Sequence, residues 1–228
     1  MPATTSASSG SEGGIVNVVV AGGHGQIALH LLRLLAGRGD GAWGLVRNPD
    51  HAPELERLGA RAVICDLEEQ ENLAACVADA DAVVFAAGAG PGSGPERKRT
   101  VDLGGAVKLI DAARVTGIRR YVMVSAMGAG DPGAGGEQTR PYLEAKAEAD
   151  EVLTRSGLDF TIVRPGALTD EPGTDLIAAG PDVGRGEIPR EDVAGVLAAT
   201  LDFGKTTIGK TFNVIGGETP IDEAMRLL

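Results

Sequence analysis

The sequence has few aromatic residues and no long hydrophobic run. Phe, Trp and Tyr make up 3% of the 228 residues, so the core must be built mainly from Ala, Val, Leu and Ile. No segment approaches the roughly 18 consecutive apolar residues of a membrane-spanning helix. Residues 1–14 lack the basic start and apolar middle of a signal peptide, and we expect them to form a disordered tail. These absences predict a cytoplasmic protein without a membrane partner.

Cysteine and histidine are also scarce. The two cysteines, Cys65 and Cys76, have a spacing that fits neither a CxxC pair nor a disulfide framework, which predicts a reducing compartment. The three histidines are scattered without the spacing of metal ligands. No metal site is predicted.

Basic residues are outnumbered by acidic ones. The chain has 21 Lys and Arg against 32 Asp and Glu, a formal net charge of -11. Because nucleic-acid binding depends on Lys and Arg that neutralise phosphates, this charge argues against a nucleic-acid partner. A phosphate-bearing small molecule must instead be held locally, by backbone N–H groups at a helix N-terminus and by one or two well-placed cations.

What the sequence does contain is an alternation of short apolar runs with segments of helical periodicity. This alternation is typical of βαβ units and predicts an α/β fold, a doubly wound parallel sheet of about seven strands in a single domain over residues 15–228. Strands are predicted over residues 15–21, 42–46, 60–65, 82–87, 120–124, 160–163 and 211–215. Helices are predicted over residues 26–37, 68–78, 96–115, 140–156 and 191–203, with a last one after Thr219.

Three glycine-rich segments are too long to be simple connections. They are residues 88–95, 127–139 and 168–186, and each follows the C-terminal end of a predicted strand. Open α/β sheets bind ligands at that edge, and loops of such length are usually functional or disordered. We expect them to enclose one cleft, the last as a small C-terminal lid over a small-molecule substrate.

The first strand is joined to the first helix by a turn with the spacing GxxGxxA. Gly22 permits the tight turn, Gly25 lets the backbone approach a pyrophosphate, and Ala28 lets the helix lie close to the sheet. Pyrophosphate oxygens would then meet free N–H groups at the helix N-terminus. The cofactor-binding residues predicted here are Gly22, His24 through its backbone, Gly25, Gln26 and Ile27. A tight turn without a ligand is the alternative.

The ends of the next two strands suggest how the rest of a dinucleotide is bound. Arg47 stands where an NAD site usually has a carboxylate, and its forked guanidinium suits a ribose 2'-phosphate, which predicts NADP (NADPH). Asp50 could bind a ribose instead, so NAD stays open as a cofactor. Asp66, which precedes Leu67, could accept a hydrogen bond from adenine or cap the following helix. Asp66 and Leu67 are included in the predicted cofactor site.

These pieces occur together with several longer motifs. In chain order they are AGGHGQIA, LVRNPD, CDLEE, VVFAAG, VDLGGAVKLIDAARVTGIRRYVMVSAMGA, YLEAKAEAD and SGLDFTIVRPGALTDEPG. The set resembles the short-chain dehydrogenase/reductase superfamily, specifically its atypical NAD(P)H-binding group of NmrA-like proteins and biliverdin or flavin reductases. The resemblance covers nearly the whole chain from residue 15 onward.

The resemblance implies a Rossmann-like sheet with strand order 3-2-1-4-5-6-7 and a dinucleotide lying across its C-terminal edge. It also implies that Ala86, Ala87 and Gly88 lie along the cofactor. Asp102 takes a place where many relatives have Asn, which leaves its catalytic role open.

A tyrosine and a lysine form the candidate catalytic pair. Tyr142 and Lys146 are four residues apart and so share one face of a helix. A nearby cation favours the phenolate, and the resemblance implies that Lys146 also binds the nicotinamide ribose. Tyr142 would exchange a proton with a carbonyl oxygen, while Ser125 would hydrogen-bond to the same oxygen. Ser125, Tyr142 and Lys146 are the predicted catalytic residues, with ordinary helix neighbours as the alternative.

The sequence favours an NADPH-dependent oxidoreductase that transfers hydride to a small carbonyl, quinone or flavin-like acceptor. A non-catalytic NADP-binding sensor or regulatory protein of the NmrA type is the alternative, since it needs only the glycine turn and Arg47. An NAD(P)-dependent epimerase or dehydratase is less favoured because little chain follows the sixth strand. Both a monomer and a homodimer are compatible with the sequence.

Overall fold

The computed structural model describes residues 16–90 and 92–228, so the predicted tail at residues 1–14 lies outside the described residues. The strands are β1 (Asn17–Ala21), β2 (Gly41–Val46), β3 (Arg61–Ile64), β4 (Ala82–Phe85), β5 (Arg120–Val124), β6 (Asp159–Pro165), β7 (Ala167–Thr169), β8 (Leu176–Gly180), β9 (Glu187–Pro189), β10 (Lys210–Gly216) and β11 (Thr219–Pro220). The helices are α1 (Gln26–Gly37), α2 (Ala52–Arg57), α3 (Ala74–Val77), α4 (Pro95–Arg97), α5 (Ala106–Thr116), α6 (Arg140–Thr154), α7 (Arg190–Asp202), α8 (Gly204–Thr207) and α9 (Ile221–Leu227).

One large sheet forms the centre of the fold. In the part of the chain that the structure describes it has nine strands, in the order β11-β8-β10-β6-β5-β4-β1-β2-β3. Seven neighbouring strands of this sheet are parallel, in the spatial order β3-β2-β1-β4-β5-β6-β10. The predicted class and the order 3-2-1-4-5-6-7 are therefore confirmed, with β10 as the seventh strand. The two strands beyond it, β8 and β11, are antiparallel to their neighbours.

Helices cover both faces of the sheet. Residues of β1 alternate between two hydrophobic clusters, with Val18 and Val20 on one face and Val19 and Ala21 on the other. The first face packs against α1, α7 and α9, and the second against α3, α5 and α6. Because both faces are buried, the central strands are almost continuously apolar, as parallel strands usually are. The sheet thus places every βα loop at one edge.

The segment predicted as a helix over residues 68–78 is mostly irregular, and only α3 forms within it. Lys108 Nζ donates to the backbone carbonyls of Leu67, Glu68 and Gln70 at 2.8–2.9 Å. Residues 65–73 form no regular helix, and these carbonyls accept from Lys108 instead. The prediction of a long helix here is therefore wrong.

Two further expectations need correction. Residues 168–186, predicted as a loop, contain β8 and part of β7, and β7 pairs with β9 in a separate two-stranded sheet.

Cys65 and Cys76 form a disulfide with a Cα–Cα distance of 6.3 Å. Their spacing gave no sign of this bond, because the irregular segment between them folds back beside the end of β3. The inference of a reducing compartment loses its basis.

The helix predicted over residues 96–115 is not a single regular helix. It begins as α4, widens into a π-helix over Lys98–Gly105, and continues as α5. π-Helical turns are rare in proteins, and those that do occur are often found at functional sites. Among the described residues, no helix is long and apolar enough to cross a bilayer.

Candidate functional site

The glycine turn brings three strand ends together. Gly22 has φ +77°, and a Cβ added there would lie 2.6 Å from Ala87 Cα at the end of β4. A Cβ on Gly23 would lie 2.7 Å from Gly44 Cα in β2. Only glycine fits at such distances, so the turn is packed directly against the backbone of both neighbouring strands.

The N-terminus of α1 is suited to bind a pyrophosphate. Gly25 is the N-cap, and no side chain of the described residues caps this end of the helix. The first intrahelical bond is donated by the Leu29 N–H to the Gly25 carbonyl, so the N–H groups between these two residues, including those of Gln26 and Ile27, remain for a ligand. The turn therefore fits the dinucleotide that the sequence predicts.

The side chains around this turn are engaged with the protein itself. The His24 ring stacks on His51 with centroids 3.6 Å apart, and its Nε2 is 2.7 Å from Glu54 Oε2. The Gln26 side chain donates to Asp170 Oδ1 at 3.1 Å, which ties the segment after β7 to the start of α1. The His24 ring is thus engaged within the protein, and the predicted backbone contact of His24 with a cofactor stays a prediction.

Charged side chains surround the predicted adenosine end. Asp66 Oδ1 accepts from the Glu68 N–H at 2.8 Å and so caps a turn after β3, whereas the predicted helix that it was expected to cap does not form. Glu68 Oε2 lies 3.4 Å from Arg47 and 3.3 Å from Arg97. Arg47 is more than half exposed. Its guanidinium is therefore accessible to a phosphate at the end of β2.

Lys146 is the buried charge of the site. Its Nζ donates to the Val124 carbonyl at 3.0 Å and lies 3.2 Å from Asp102 Oδ1, and both side chains are less than 5% exposed. Burial alone would lower the pKa of Lys146, but the neighbouring Tyr142 and Asp102 outweigh it and raise the pKa. The ammonium is therefore kept charged beneath the site.

Asp102 connects Lys146 to the glycine turn. Its Oδ2 accepts from the Ala89 N–H at 3.2 Å, and a Cβ on Gly88 would lie 3.2 Å from its Oδ1. Ala87 in turn touches Gly22. Contacts therefore run without a break from the glycine turn, along the segment after β4, to Lys146.

Tyr142 lies between two ammonium groups. Lys146 Nζ is 5.8 Å and Lys98 Nζ is 5.9 Å from the centroid of its ring. The ring is half-buried, and the π-helix that carries Lys98 packs against α6. The structure thus brings together Tyr142 and Lys146 as predicted, and adds a lysine that the sequence analysis did not single out.

Ser125 follows β5 and is hydrogen-bonded to a side chain of α6, while its contact with a substrate stays a prediction. It is buried, and its hydroxyl donates to Asp150 Oδ2 at 2.9 Å. Asp150 follows Tyr142 by eight residues, about 12 Å along α6. Arg164 also donates to Asp150 Oδ2, through Nε at 3.0 Å and Nη2 at 2.9 Å. Ser125 therefore belongs to a buried hydrogen-bonded group one turn beyond Lys146.

Asp150 was missed by sequence reasoning, although a signal was present. Tyr142, Lys146 and Asp150 recur at four-residue intervals and so share a helix face. Burial raises the pKa of Asp150, and the charge of Arg164 and the Ser125 hydroxyl oppose that rise. Within the described residues, no group of three His, Cys, Asp or Glu side chains is arranged to hold a metal ion.

Comparison with known proteins identifies the family. A family model described as NAD(P)H-binding matches residues 22–203. The chain belongs to this family. It is 41% identical over 215 residues to an uncharacterised sugar epimerase of Bacillus subtilis, YhfK, with 93% of this chain and 100% of that protein aligned. The resemblance to atypical short-chain dehydrogenases/reductases and the prediction of an NAD(P)H cofactor are thereby confirmed.

Two solved structures of the family are similar over almost their entire length. One, from Bacillus halodurans and assigned provisionally as an NAD-dependent epimerase/dehydratase, is 42% identical with a TM-score of 0.89, covering 93% of this chain and 100% of that one. The oxidoreductase ylbE from Lactococcus lactis is 29% identical with a TM-score of 0.83, covering 93% and 96%. The names of these relatives include both an oxidoreductase and epimerases.

Proposed function

We propose that the protein is an NADPH-dependent oxidoreductase in which Tyr142 exchanges a proton with a carbonyl oxygen of the substrate. The observation that carries the proposal is the buried Lys146 beside the Tyr142 ring, at the end of a continuous path of contacts from the glycine turn. A fixed cation next to a phenol stabilises the negative charge that the phenol oxygen gains while its proton is transferred.

The protein's own groups divide the work of binding and chemistry. The uncapped start of α1 is the group we expect to bind the pyrophosphate, and the backbone of Ala87 and Gly88 after β4 is expected to lie along the cofactor. A nicotinamide bound in this way would supply or accept the hydride. Lys146 keeps its charge through Asp102 and stabilises the Tyr142 phenolate once the proton has left.

Ser125 has a modified role in this proposal. Because its hydroxyl hydrogen is donated to Asp150, only the oxygen lone pairs of Ser125 remain for another partner. Ser125 therefore holds the end of β5 against α6 by donating to Asp150, and it can only accept a hydrogen bond from a further partner. Tyr142 is the group we expect to donate to the substrate oxygen.

Arg47 supports the choice of NADP over NAD. It is exposed at the end of β2, and Glu68 is its nearest acidic partner in the described part of the chain, at the long distance of 3.4 Å. A 2'-phosphate can offer the guanidinium a charged, forked acceptor in its place.

An epimerase of the same family is the second candidate, because the B. subtilis relative is named as a sugar epimerase. A tyrosine and lysine pair can serve both reactions. The two differ in redox balance, since an oxidoreductase consumes NADPH in proportion to product, whereas an epimerase returns the hydride to its substrate.

Turnover by a Tyr142→Phe variant tests the proposal. We expect the wild type to oxidise NADPH with members of a panel of aldehydes, ketones and quinones. The variant should keep its NADPH affinity and lose at least a hundredfold in kcat, since general acid catalysis contributes about that much. Unchanged turnover in the variant would remove Tyr142 from the mechanism. Tight NADPH binding without oxidation by any acceptor would favour the epimerase or a purely cofactor-binding role.

A further inference from the structure

Three consecutive basic residues lie where α4 meets the π-helix, namely Arg97, Lys98 and Arg99. Their charged groups have different neighbours. Arg97 lies 3.3 Å from Glu68. Arg99 forms two hydrogen bonds of 3.1 Å to Glu148 on α6. Both arginines are thus neutralised by a carboxylate.

Lys98 is the exception in this run. In the part of the chain that the structure describes it forms no ion pair with a carboxylate. Its Nζ lies instead 5.9 Å from the centroid of the Tyr142 ring. The other ammonium near that ring, Lys146, is balanced by Asp102. Lys98 therefore brings one uncompensated positive charge to the tyrosine.

We propose that Lys98 binds an anionic group, a carboxylate or a phosphate, on the substrate that reacts at Tyr142. The inference rests on the proposed function for the position of the reacting carbonyl. It adds the chemical class of the substrate, a carbonyl compound that carries a negative charge.

The net charge of the protein makes this local cation significant. A chain with a charge of -11 repels anions at long range, so an anionic substrate needs a dedicated positive group at the site. A lysine suits this task because its ammonium is a compact charge on a flexible stem.

The backbone beside Lys98 and before α6 is open at two glycines. Gly94 accepts a hydrogen bond from the Lys98 N–H, and Gly136 accepts one from the Arg140 N–H at the start of α6. A Cβ added to either glycine would meet no atom of the described residues within 4 Å. The backbone is therefore not covered by other side chains at these two points.

The test compares charged and neutral aldehydes that are otherwise similar. Succinic semialdehyde is paired with butanal for a carboxylate, and glyceraldehyde 3-phosphate with glyceraldehyde for a phosphate. Binding to the protein saturated with oxidised cofactor is measured by ligand-observed NMR, so that the result does not depend on turnover. The proteins are the wild type, Lys98→Met, Lys98→Arg, and Lys205→Met as a matched control on α8.

We expect the wild type to prefer at least one charged aldehyde by tenfold or more, and the preferred pair identifies carboxylate or phosphate. Lys98→Met should abolish the preference, Lys98→Arg should largely keep it, and Lys205→Met should leave it unchanged. The preference should also weaken at high salt, because screening reduces attraction between exposed charges.

Three results would overturn the inference. One is equal or undetectable binding of both members of each pair by the wild type. Another is a charge preference that survives in Lys98→Met. The third is a loss of NADPH affinity in Lys98→Met, which would assign Lys98 to the cofactor. A Lys98-dependent preference without turnover of any aldehyde would keep this inference and reject the oxidoreductase.

Discussion

At the scale of single residues, the site depends on charges that are removed from water in pairs. Helix α6 carries one member of each pair, because Lys146 pairs with Asp102 and Asp150 pairs with Arg164. Taking such charges out of water is costly, and the cost is offset only while both partners are present. The loss of one partner leaves the other uncompensated.

An Asp150→Ala substitution should therefore lower the free energy of unfolding by about 3 to 5 kcal/mol. The variant leaves the Arg164 guanidinium and the Ser125 hydroxyl without their acceptor. Urea denaturation measures the change. Glu148→Ala is the control, since its pair with Arg99 is exposed, and we expect scarcely any effect there. A small change in Asp150→Ala would show that water or another group replaces the carboxylate.

The same residue predicts a pH dependence. Burial raises the pKa of Asp150, so the native protein holds this proton more tightly than the unfolded chain does. The contribution to stability is complete below the ordinary aspartate pKa of about 3.9 and is lost as pH rises through the native value. From about pH 4 up to the raised native pKa, Asp150→Asn should remove this downward contribution to the stability curve. Parallel curves for the two proteins would contradict it.

At the scale of secondary structure elements, the glycine turn controls how α1 meets the sheet. A Gly22→Ala substitution adds both an unfavourable positive φ and a contact of 2.6 Å with Ala87 Cα. We expect the turn to shift and NADPH affinity to fall at least tenfold, measured by calorimetric titration. Gly39→Ala is the matched control, because Gly39 has φ +89° and open space around it.

The control separates the effect of the positive φ from the effect of the close contact with Ala87, because only Gly22 has both. Gly39→Ala should lose about 1 to 2 kcal/mol of stability from its backbone conformation and keep its NADPH affinity. If both variants bound NADPH as the wild type does, the turn would not be the pyrophosphate site.

Most of these elements could be predicted from the sequence, because parallel strands and amphipathic helices have distinct apolar periods. The strand over residues 120–124 and the helix over residues 26–37 match the structure in full. The helix over residues 68–78 could not be judged locally, since Lys108 reaches it from 38 to 41 residues away. The Cys65–Cys76 bond and β8 likewise depend on contacts that spacing does not encode.

The site was predictable to a similar extent. Tyr142 and Lys146 share a helix face whatever the tertiary fold, so their spacing was sufficient. The direction of the Ser125 hydroxyl and the position of Lys98 depend on how α6 packs against β5 and the π-helix. Those contacts join separate elements and leave no periodic pattern in the sequence.

At the scale of the whole molecule, Arg120 ties the C-terminal helices to the centre of the sheet. From β5 it donates to the Asp159 and Thr200 carbonyls and to the hydroxyls of Thr161 and Thr207, at 2.7–3.3 Å. Burial lowers its pKa to about 10, so it remains charged at neutral pH. One side chain thus links β6, α7 and α8.

Arg120→Ala should destabilise the entire chain by about 3 kcal/mol, because several buried acceptors lose their donor at once. If residues 15–228 form one domain, fluorescence of Trp43 in β2 and far-UV circular dichroism should report the same shifted transition. The neighbouring Arg119→Ala, at an exposed site, should leave the transition in place. Separate transitions would indicate two independently folding units.

The two edge strands of the large sheet, β11 and β3, affect how readily copies of the protein pair through their sheets at high concentration. At one margin β11 consists of Thr219 and Pro220, and proline has no N–H to offer to an incoming strand. At the other, β3 is four residues long and presents the charged Arg61. Short or charged edge strands resist pairing with another chain. A protein with 43% hydrophobic residues is thereby protected from assembling into fibrils through its own sheet.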